Sequence, residues 1–136
     1  MDIVLIDTSV WINFFKAKET QSSLFLKHNL NNMILATCPV IVQEVLQGIV
    51  SDADEKTVKL YFNNLTKLRE EPYTLAEEAA ELYRFLRKQG ITIRKPNDCL
   101  IAIFAIKNNI PLLQDDRDFE MIAKHSSLKL TTPDNL

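Results

Sequence analysis

The sequence predicts an α/β fold: a central, mostly parallel sheet of four to five strands with helices packed on both faces. Strand and helix patterns alternate from one end of the chain to the other, which in a compact protein means parallel strands joined by helical crossovers. Two apolar runs, Ile3-Val4-Leu5-Ile6 and Pro111-Leu112-Leu113-Gln114, each lead directly into acids, Asp7 in one case and Asp115 and Asp116 in the other. Open α/β sheets bind ligands in the crevice at the carboxyl ends of their strands, so acids in that position mark a candidate site. No Gly/Ser/Pro-rich linker, repeat or low-complexity stretch divides the chain. With 136 residues, 46% of them hydrophobic, one sizeable core accounts for the whole of residues 1–136 as a single domain.

The elements follow in order. After the first strand, a hydroxyl from Thr8 or Ser9 can cap a helix that runs through Phe15, accepting a hydrogen bond from an otherwise unpaired backbone N–H. A second helix is expected over 21–30 and a short buried strand over 33–36. Pro39 suits the first turn of a third helix, with Gly48 as its stop. Residues 52–68 open with acids and space Val58, Tyr61, Phe62 and Leu65 three and four apart, an amphipathic helical pattern. The same period predicts a helix over 75–88, closed by Gly90. Residues 97–107 are apolar around the whole helical circumference, which requires cover on several sides and a central place in the fold. A strand over 111–114, a short helix over 118–124 and a last strand over 128–130 complete the chain.

Composition excludes several classes. No stretch reaches the roughly 18–20 unbroken apolar residues of a membrane helix, and Asp2 and Asp7 interrupt the start where a secretory signal would need basic and then apolar residues. A cytoplasmic protein is expected. Cys38 and Cys99 lack the spacing of a zinc site or a disulfide framework and read as small buried hydrophobes. His28 and His125 both fall at polar helix ends, and the P-loop, nucleophile-elbow and dinucleotide glycine motifs are absent from the sequence.

The remaining chemistry lies in five carboxylates: Asp7, Glu44, Asp98, Asp116 and Asp118. Asp7 sits between apolar segments, where an unpaired charge must be neutralised, hydrogen-bonded or given a cation. Its simpler role would be a helix cap. Glu44 interrupts the apolar run of the third helix about a turn and a half after Pro39, although a glutamate on a wet helix face looks the same. Asp98 occupies the first turn of the most apolar helix, where the helix dipole alone would favour it. Together these oxygens suit hard divalent cations, Mg²⁺ or Mn²⁺, over Zn²⁺. Acids without another nucleophile point to metal-activated water acting on a phosphate. The net charge of −2 does not oppose such a substrate. The 18 acidic residues less those five leave 13 against 16 basic ones, so the rest of the chain is positive. Arg94 and Lys95, just before Asp98, are candidate phosphate contacts. Trp11, Phe14 and Phe15, three and four apart on the first helix, belong to the core by their spacing.

Four segments in register resemble the PIN-domain nucleases: Ile6-Asp7-Thr8-Ser9-Val10-Trp11, Glu44 in a helix after a short second strand, Asp98 followed by Leu100-Ile101-Ala102, and Leu113 through Phe119. More narrowly they resemble the small VapC-type toxins of toxin–antitoxin systems. The likeness spans nearly the whole chain and departs from the family at Gln114, where Thr or Ser is frequent. It implies a single PIN-like domain and hydrolysis of RNA phosphodiesters with one or two Mg²⁺ or Mn²⁺ ions. By position it implies that Asp7, Glu44, Asp98 and Asp116 form the catalytic, metal-binding quartet, that Asp118 is an outer carboxylate, and that Thr8 or Ser9 orients a water on the metal. It also implies a homodimer and a small VapB-like antitoxin lying in a groove near Trp11, Phe14 and Phe15. Two alternatives remain: a Mg²⁺-dependent α/β phosphatase, which would want an acid where Ser9 stands, and a non-catalytic PIN-like module binding RNA or protein.

Overall fold

In the computed structural model, which describes residues 3–31 and 34–136, three fully buried residues, Val4–Ile6, form β1 at the centre of the sheet. The elements that follow are α1 (Thr8–Phe15), α2 (Gln21–Asn29), β2 (Leu35–Thr37), α3 (Pro39–Gln47), α4 (Asp52–Asn63), β3 (Thr66–Lys67), α5 (Pro72–Lys88), α6 (Asn97–Lys107), β4 (Leu112–Leu113), α7 (Asp118–Lys124) and β5 (Leu130–Thr131), with a terminal 3₁₀ turn at Pro133–Asn135. The five strands form one sheet in the order β3-β2-β1-β4-β5. Every pairing is parallel: Val4 opposes Leu35, Leu5 opposes Leu112, Ala36 opposes Thr66 and Leu112 opposes Leu130.

That order decides where a ligand can bind. The chain builds outward from β1 through β2 to β3, then returns to β1's other side with β4 and β5. The direction of growth reverses between β1 and β4, which opens a crevice at their carboxyl ends. Asp7 and Asp116 of the candidate site follow the strands that end at this point.

The sheet is held by helices that bury an apolar stripe each, except α6, which buries nearly everything. Cys99, Ile101, Ala102, Ile103, Phe104 and Ala105 are all buried, and α6 packs on α5, α7 and α3. As predicted, it is the central helix. Both cysteines are buried and free, and loss of solvent pushes the Cys38 thiol up to about 12 and that of Cys99 to about 11. They are neutral packing groups. Among the described residues no helix is long and apolar enough to cross a membrane.

Several expected boundaries move. The helix expected over 52–68 stops at Asn63, with Asn64 as its C-cap. Asparagine favours the ends of helices because its side chain competes for backbone hydrogen bonds. The released segment becomes β3, an edge strand that the helical period concealed. The strand expected over 33–36 is Leu35–Thr37, and Met33 lies outside the described residues. The final strand is shifted to Leu130–Thr131 by its pairing with β4. Helix α5 begins at Pro72 instead of Leu75, because the Glu71 carboxylate caps it through the N–H groups of Tyr73 and Thr74. Gly90 closes it as expected, at φ +81°, with Gly90 N–H on Arg87 O and Ile91 N–H on Leu86 O. That pair of bonds is the Schellman motif.

Helix α1 ends in the same motif without the glycine. Ala17 adopts φ 55°, with its N–H on Phe14 O and the Lys18 N–H on Asn13 O. A left-handed residue bearing a Cβ costs roughly 1–2 kcal/mol, partly offset for glycine by its greater unfolded-state freedom. Ala17→Gly is therefore expected to stabilise the protein by about 0.5–1 kcal/mol, read as a higher urea midpoint at unchanged slope. An unchanged or lower midpoint would contradict this account of the turn.

Candidate metal centre

Asp7 is both the last residue of the β1–β4 ladder and the cap of α1. Its N–H donates to Leu113 O at 3.0 Å, and its Oδ2 accepts from Ser9 N–H at 2.9 Å and from the Ser9 hydroxyl at 2.6 Å. The cap is thus Asp7 itself, one residue before the hydroxyls expected to serve. This arrangement satisfies one carboxylate oxygen and points to a further partner for the other, since Asp7 Oδ1 is buried with no hydrogen bond. Across the crevice Asp98, in the first turn of α6, is only 4% exposed. Its Oδ2 is likewise buried and unpartnered.

The other acids are held by named contacts. Glu44, on α3, accepts from the Thr8 hydroxyl at 2.7 Å. Asp116 is set by the turn after β4, where its N–H donates to Gln114 Oε1 at 2.6 Å and its Oδ1 accepts from Asp118 N–H at 3.0 Å. Gln114, which departs from the family pattern, therefore holds the acidic loop with its own carbonyl. Asp98, Asp116 and Asp118 can each place a carboxylate oxygen within 4.8 Å of the others. Asp7 and Glu44 do not belong to that tight trio. They form the facing wall of a cleft of about 550 Å³ that Asp98 and Asp116 also line.

The trio has cations of its own. The Arg94 guanidinium reaches Asp118 Oδ2 at 3.2 Å and Asp116 Oδ1 at 3.4 Å, and Lys95 Nζ reaches Asp116 Oδ2 at 3.2 Å. The two residues expected to meet phosphate are here paired with the acids. Thr8 and Ser9 are likewise engaged with carboxylates. Ser9 Oγ also accepts from Asp115 N–H at 2.9 Å, so it joins the two acid-bearing strand ends.

The sequence placed Asp115 at the end of a strand without giving it a role. Its Oδ2 accepts from Asn13 Nδ2 and from the Thr20 hydroxyl, both at 2.8 Å, tying the loop after β4 to α1 and α2. Trp11 lies in the core, as its spacing predicts: it is 0% exposed, stacked on Phe15 and tilted against Phe62. The groove role that the resemblance implies for it is corrected, because it offers no exposed face. Phe14 and Phe15 are only half-buried.

Burial separates the acids electrostatically. Loss of solvent raises Asp7 to about 6 against its Ser9 hydrogen bonds, with Glu44 adding repulsion. Loss of solvent, then repulsion from Asp7 and Asp116, raises Asp98 to about 7. For Asp116 burial acts in the same direction but is outweighed by the Asp118 N–H, Lys95 and Arg94, which hold its carboxyl below its ordinary value. The cleft thus contains two acids that hold protons near neutrality and one that does not. The donor set fits a hard divalent cation: oxygens only, several charges, and two buried oxygens without a partner.

Comparison with known proteins decides the family. The PIN domain model matches residues 4–125. The ribonuclease VapC11 of Mycobacterium tuberculosis and the VapC ribonuclease Mb1587 of Mycobacterium bovis are each 33% identical over 129 residues, covering 93% of this chain and 96% of theirs. The chain belongs to the PIN-domain family, among the VapC proteins. Among solved structures, VapBC-1 from nontypeable Haemophilus influenzae superposes at TM-score 0.72 with 17% identity, covering 96% of this chain and 97% of that one. VapBC2 from Rickettsia felis, bound to a promoter DNA fragment, gives 0.71 with 18% identity over 95% and 97%. At such identities the likeness is one of fold, and this PIN domain shares its parallel five-stranded arrangement.

The raised acids give a pH signature. In the metal-free protein Asp7 and Asp98 keep their protons to about pH 6 and 7, whereas the unfolded chain releases them near pH 4. The folded state then binds more protons, so stability falls as pH rises from about 4 to 7. A bound divalent cation replaces those protons, so metal binding tightens as pH rises through 6 to 7 and offsets that fall. Titration of Mn²⁺ at pH 6.5 should release protons, seen as a buffer-dependent calorimetric heat, and the effect should fade by pH 8.5. Equal heats in buffers of different ionisation enthalpy at pH 6.5 would exclude this picture.

Proposed function

We propose that the protein is a metal-dependent endoribonuclease, the toxin of a type II toxin–antitoxin pair. The observation that supports this most is the pair of buried carboxylates, Asp7 and Asp98, each with an unpartnered oxygen in a PIN domain related to VapC ribonucleases. Mg²⁺ or Mn²⁺, one ion or two, suits the oxygen donors, held by Asp7, Asp98, Asp116 and Glu44 with Asp118 at the edge. When bound, such an ion lowers the pKa of an attacking water and stabilises charge on the leaving oxygen.

The chain's own residues supply the rest. Ser9 and the α1 N-terminus fix Asp7, Thr8 fixes Glu44, and Gln114 fixes the Asp116 loop. Arg94 and Lys95 are exposed side chains that can turn from the acids to the phosphate of an arriving RNA. Loss of both therefore weakens RNA binding and, by freeing Asp116, strengthens metal binding. Metal-dependent cleavage of total RNA by purified, partner-free protein tests the function directly. No cleavage with either Mg²⁺ or Mn²⁺ would refute it.

The partners follow from the same reading, and a cytoplasmic place is consistent with an RNA substrate. A VapB-like antitoxin would lie over the outer side of α1 and α2, where Phe14 and Leu24 line a shallow hollow, and send a basic side chain toward the acids. A second copy would dock on α5 and α6. There Ala76, Ala80, Tyr83 and Leu100 border an apolar hollow of about 500 Å³. Helix α5 carries Glu77 and Glu81 before Arg84 and Lys88, so an antiparallel copy pairs opposite charges. Co-expression with the small protein encoded next to it should yield a co-purifying, inactive complex. A neighbouring product that neither binds nor inhibits removes the toxin assignment and leaves the nuclease standing.

Asp7→Asn should abolish cleavage while preserving the fold, because an asparagine side chain caps α1 as well as aspartate does. Removal of a desolvated charge should also stabilise the metal-free protein by about 1–2 kcal/mol at pH 8. Cleavage at the wild-type rate by this variant would exclude Asp7 as a metal ligand. The same substitution at Asp134, on the terminal turn, should change neither property.

A further inference from the structure

The carboxyl edge of the sheet has a second opening, on the far side of α3 from the acids. Helix α3 turns Glu44 and Gln47 into the acidic cleft. Its residues Pro39, Val42 and Gln43 border a separate slot of about 350 Å³, bordered also by Lys67, Leu68 and Arg69 at the end of β3. The slot has two kinds of surface. Pro39, Val42 and Leu68 make it apolar, while Lys67 and Arg69 bring two exposed cations. Neither cation has an acidic partner among the described residues, in contrast to Lys59, Arg94, Lys95 and Lys107.

We propose that this slot seats a nucleotide of single-stranded RNA next to the scissile phosphate. The base would lie against Pro39, Val42 and Leu68, with the Gln43 amide at its edge and Lys67 and Arg69 on the flanking phosphates. This rests on the nuclease reading and adds the path that the substrate takes. An acidic cleft repels the phosphates it must cleave, and its own Arg94 and Lys95 are paired with acids, so unpaired cations beyond it add attraction along the strand. The ends of β1 and β3 lie two inter-strand spacings apart, roughly 10 Å, a span that a short single strand bridges. An apolar peptide would use the walls of the slot but leave both cations unanswered. A nucleotide uses both, and unstacked bases are read by contacts to their edges, for which an amide offers a donor and an acceptor.

The test compares the wild type with Lys67→Ala/Arg69→Ala and with Val42→Trp, which fills the slot and keeps both cations. Anisotropy of a short labelled single-stranded RNA, in EDTA so that nothing is cut, should show weaker binding by each variant. The salt dependence of log K for the double variant should fall by about 1.4, the value for two lost phosphate contacts on a single strand. With Mn²⁺, its KM for that RNA should rise about tenfold at unchanged kcat, while a dinucleotide that reaches only the acidic cleft is cut with unchanged KM. Unchanged affinity and salt slope overturn the proposal. So does loss of antitoxin binding with RNA binding intact, which would make the slot a protein groove. A wild type that cleaves neither RNA nor dinucleotide refutes the nuclease reading separately, and anisotropy still decides the slot.

Discussion

The organisation of this protein depends on keeping like charges together out of water. Asp7 and Asp98 are almost fully buried and line the same cleft. An isolated buried carboxylate is costly enough to change its protonation state rather than remain charged. Here that response takes the form of raised proton affinities at both positions. Asp116 escapes it by accepting from the Asp118 N–H and pairing with Lys95 and Arg94. The crevice therefore offers protons or cations a strongly favourable place, and the fold must hold the acids there against their repulsion.

Short strands and a central apolar helix provide that restraint. Strand β1 has only three residues, but all are fully buried and it is paired on both sides. Asp7 continues its ladder through a bond to Leu113 O, which fixes the carboxylate to the sheet. Helix α6 is buried around most of its circumference, so Asp98 at its start cannot retreat without moving the core. Polar ties then adjust the remaining parts. Ser9 bridges Asp7 and the Asp115 backbone, and Asp115 gathers Asn13 and Thr20. Each side chain of this network completes a hydrogen bond that the position of another acid requires, which is how a polar cluster at a sheet edge becomes rigid.

The same edge divides into regions of opposite charge. Acids occupy the switch point, whereas the end of β3 presents Lys67 and Arg69. Helix α3 stands between them and contributes side chains to both, Glu44 to one and Gln43 to the other. Adjacent residues on a helix point about 100° apart, which lets a single element serve two neighbouring surfaces.

Much of this was legible in the sequence because it is local. Apolar runs ending in acids marked β1 and β4, the period of three and four marked the amphipathic helices, and the uniform apolarity of residues 97–107 marked the central helix. Asp7, Glu44 and Asp98 stood out because apolar runs adjoin them, and Asp116 and Asp118 because they follow a strand. Partnership was not legible. No local signal distinguishes Asp7 as a cap from Asp7 as a ligand, and the fold makes it both by using its two oxygens differently. Strand β3 was read as helix because two residues carry no period of their own, and only pairing with Ala36 and Thr37 gives them an extended form. Trp11 could belong to core or groove until Phe62, distant in sequence, covered it. Sequence alone determined which residues bear charge and which must be buried, since those follow from side-chain chemistry and period. Tertiary structure decided which charges meet, because the approach of Asp7 to Asp98, or of Arg94 to Asp118, depends on strand order and helix packing over the whole chain.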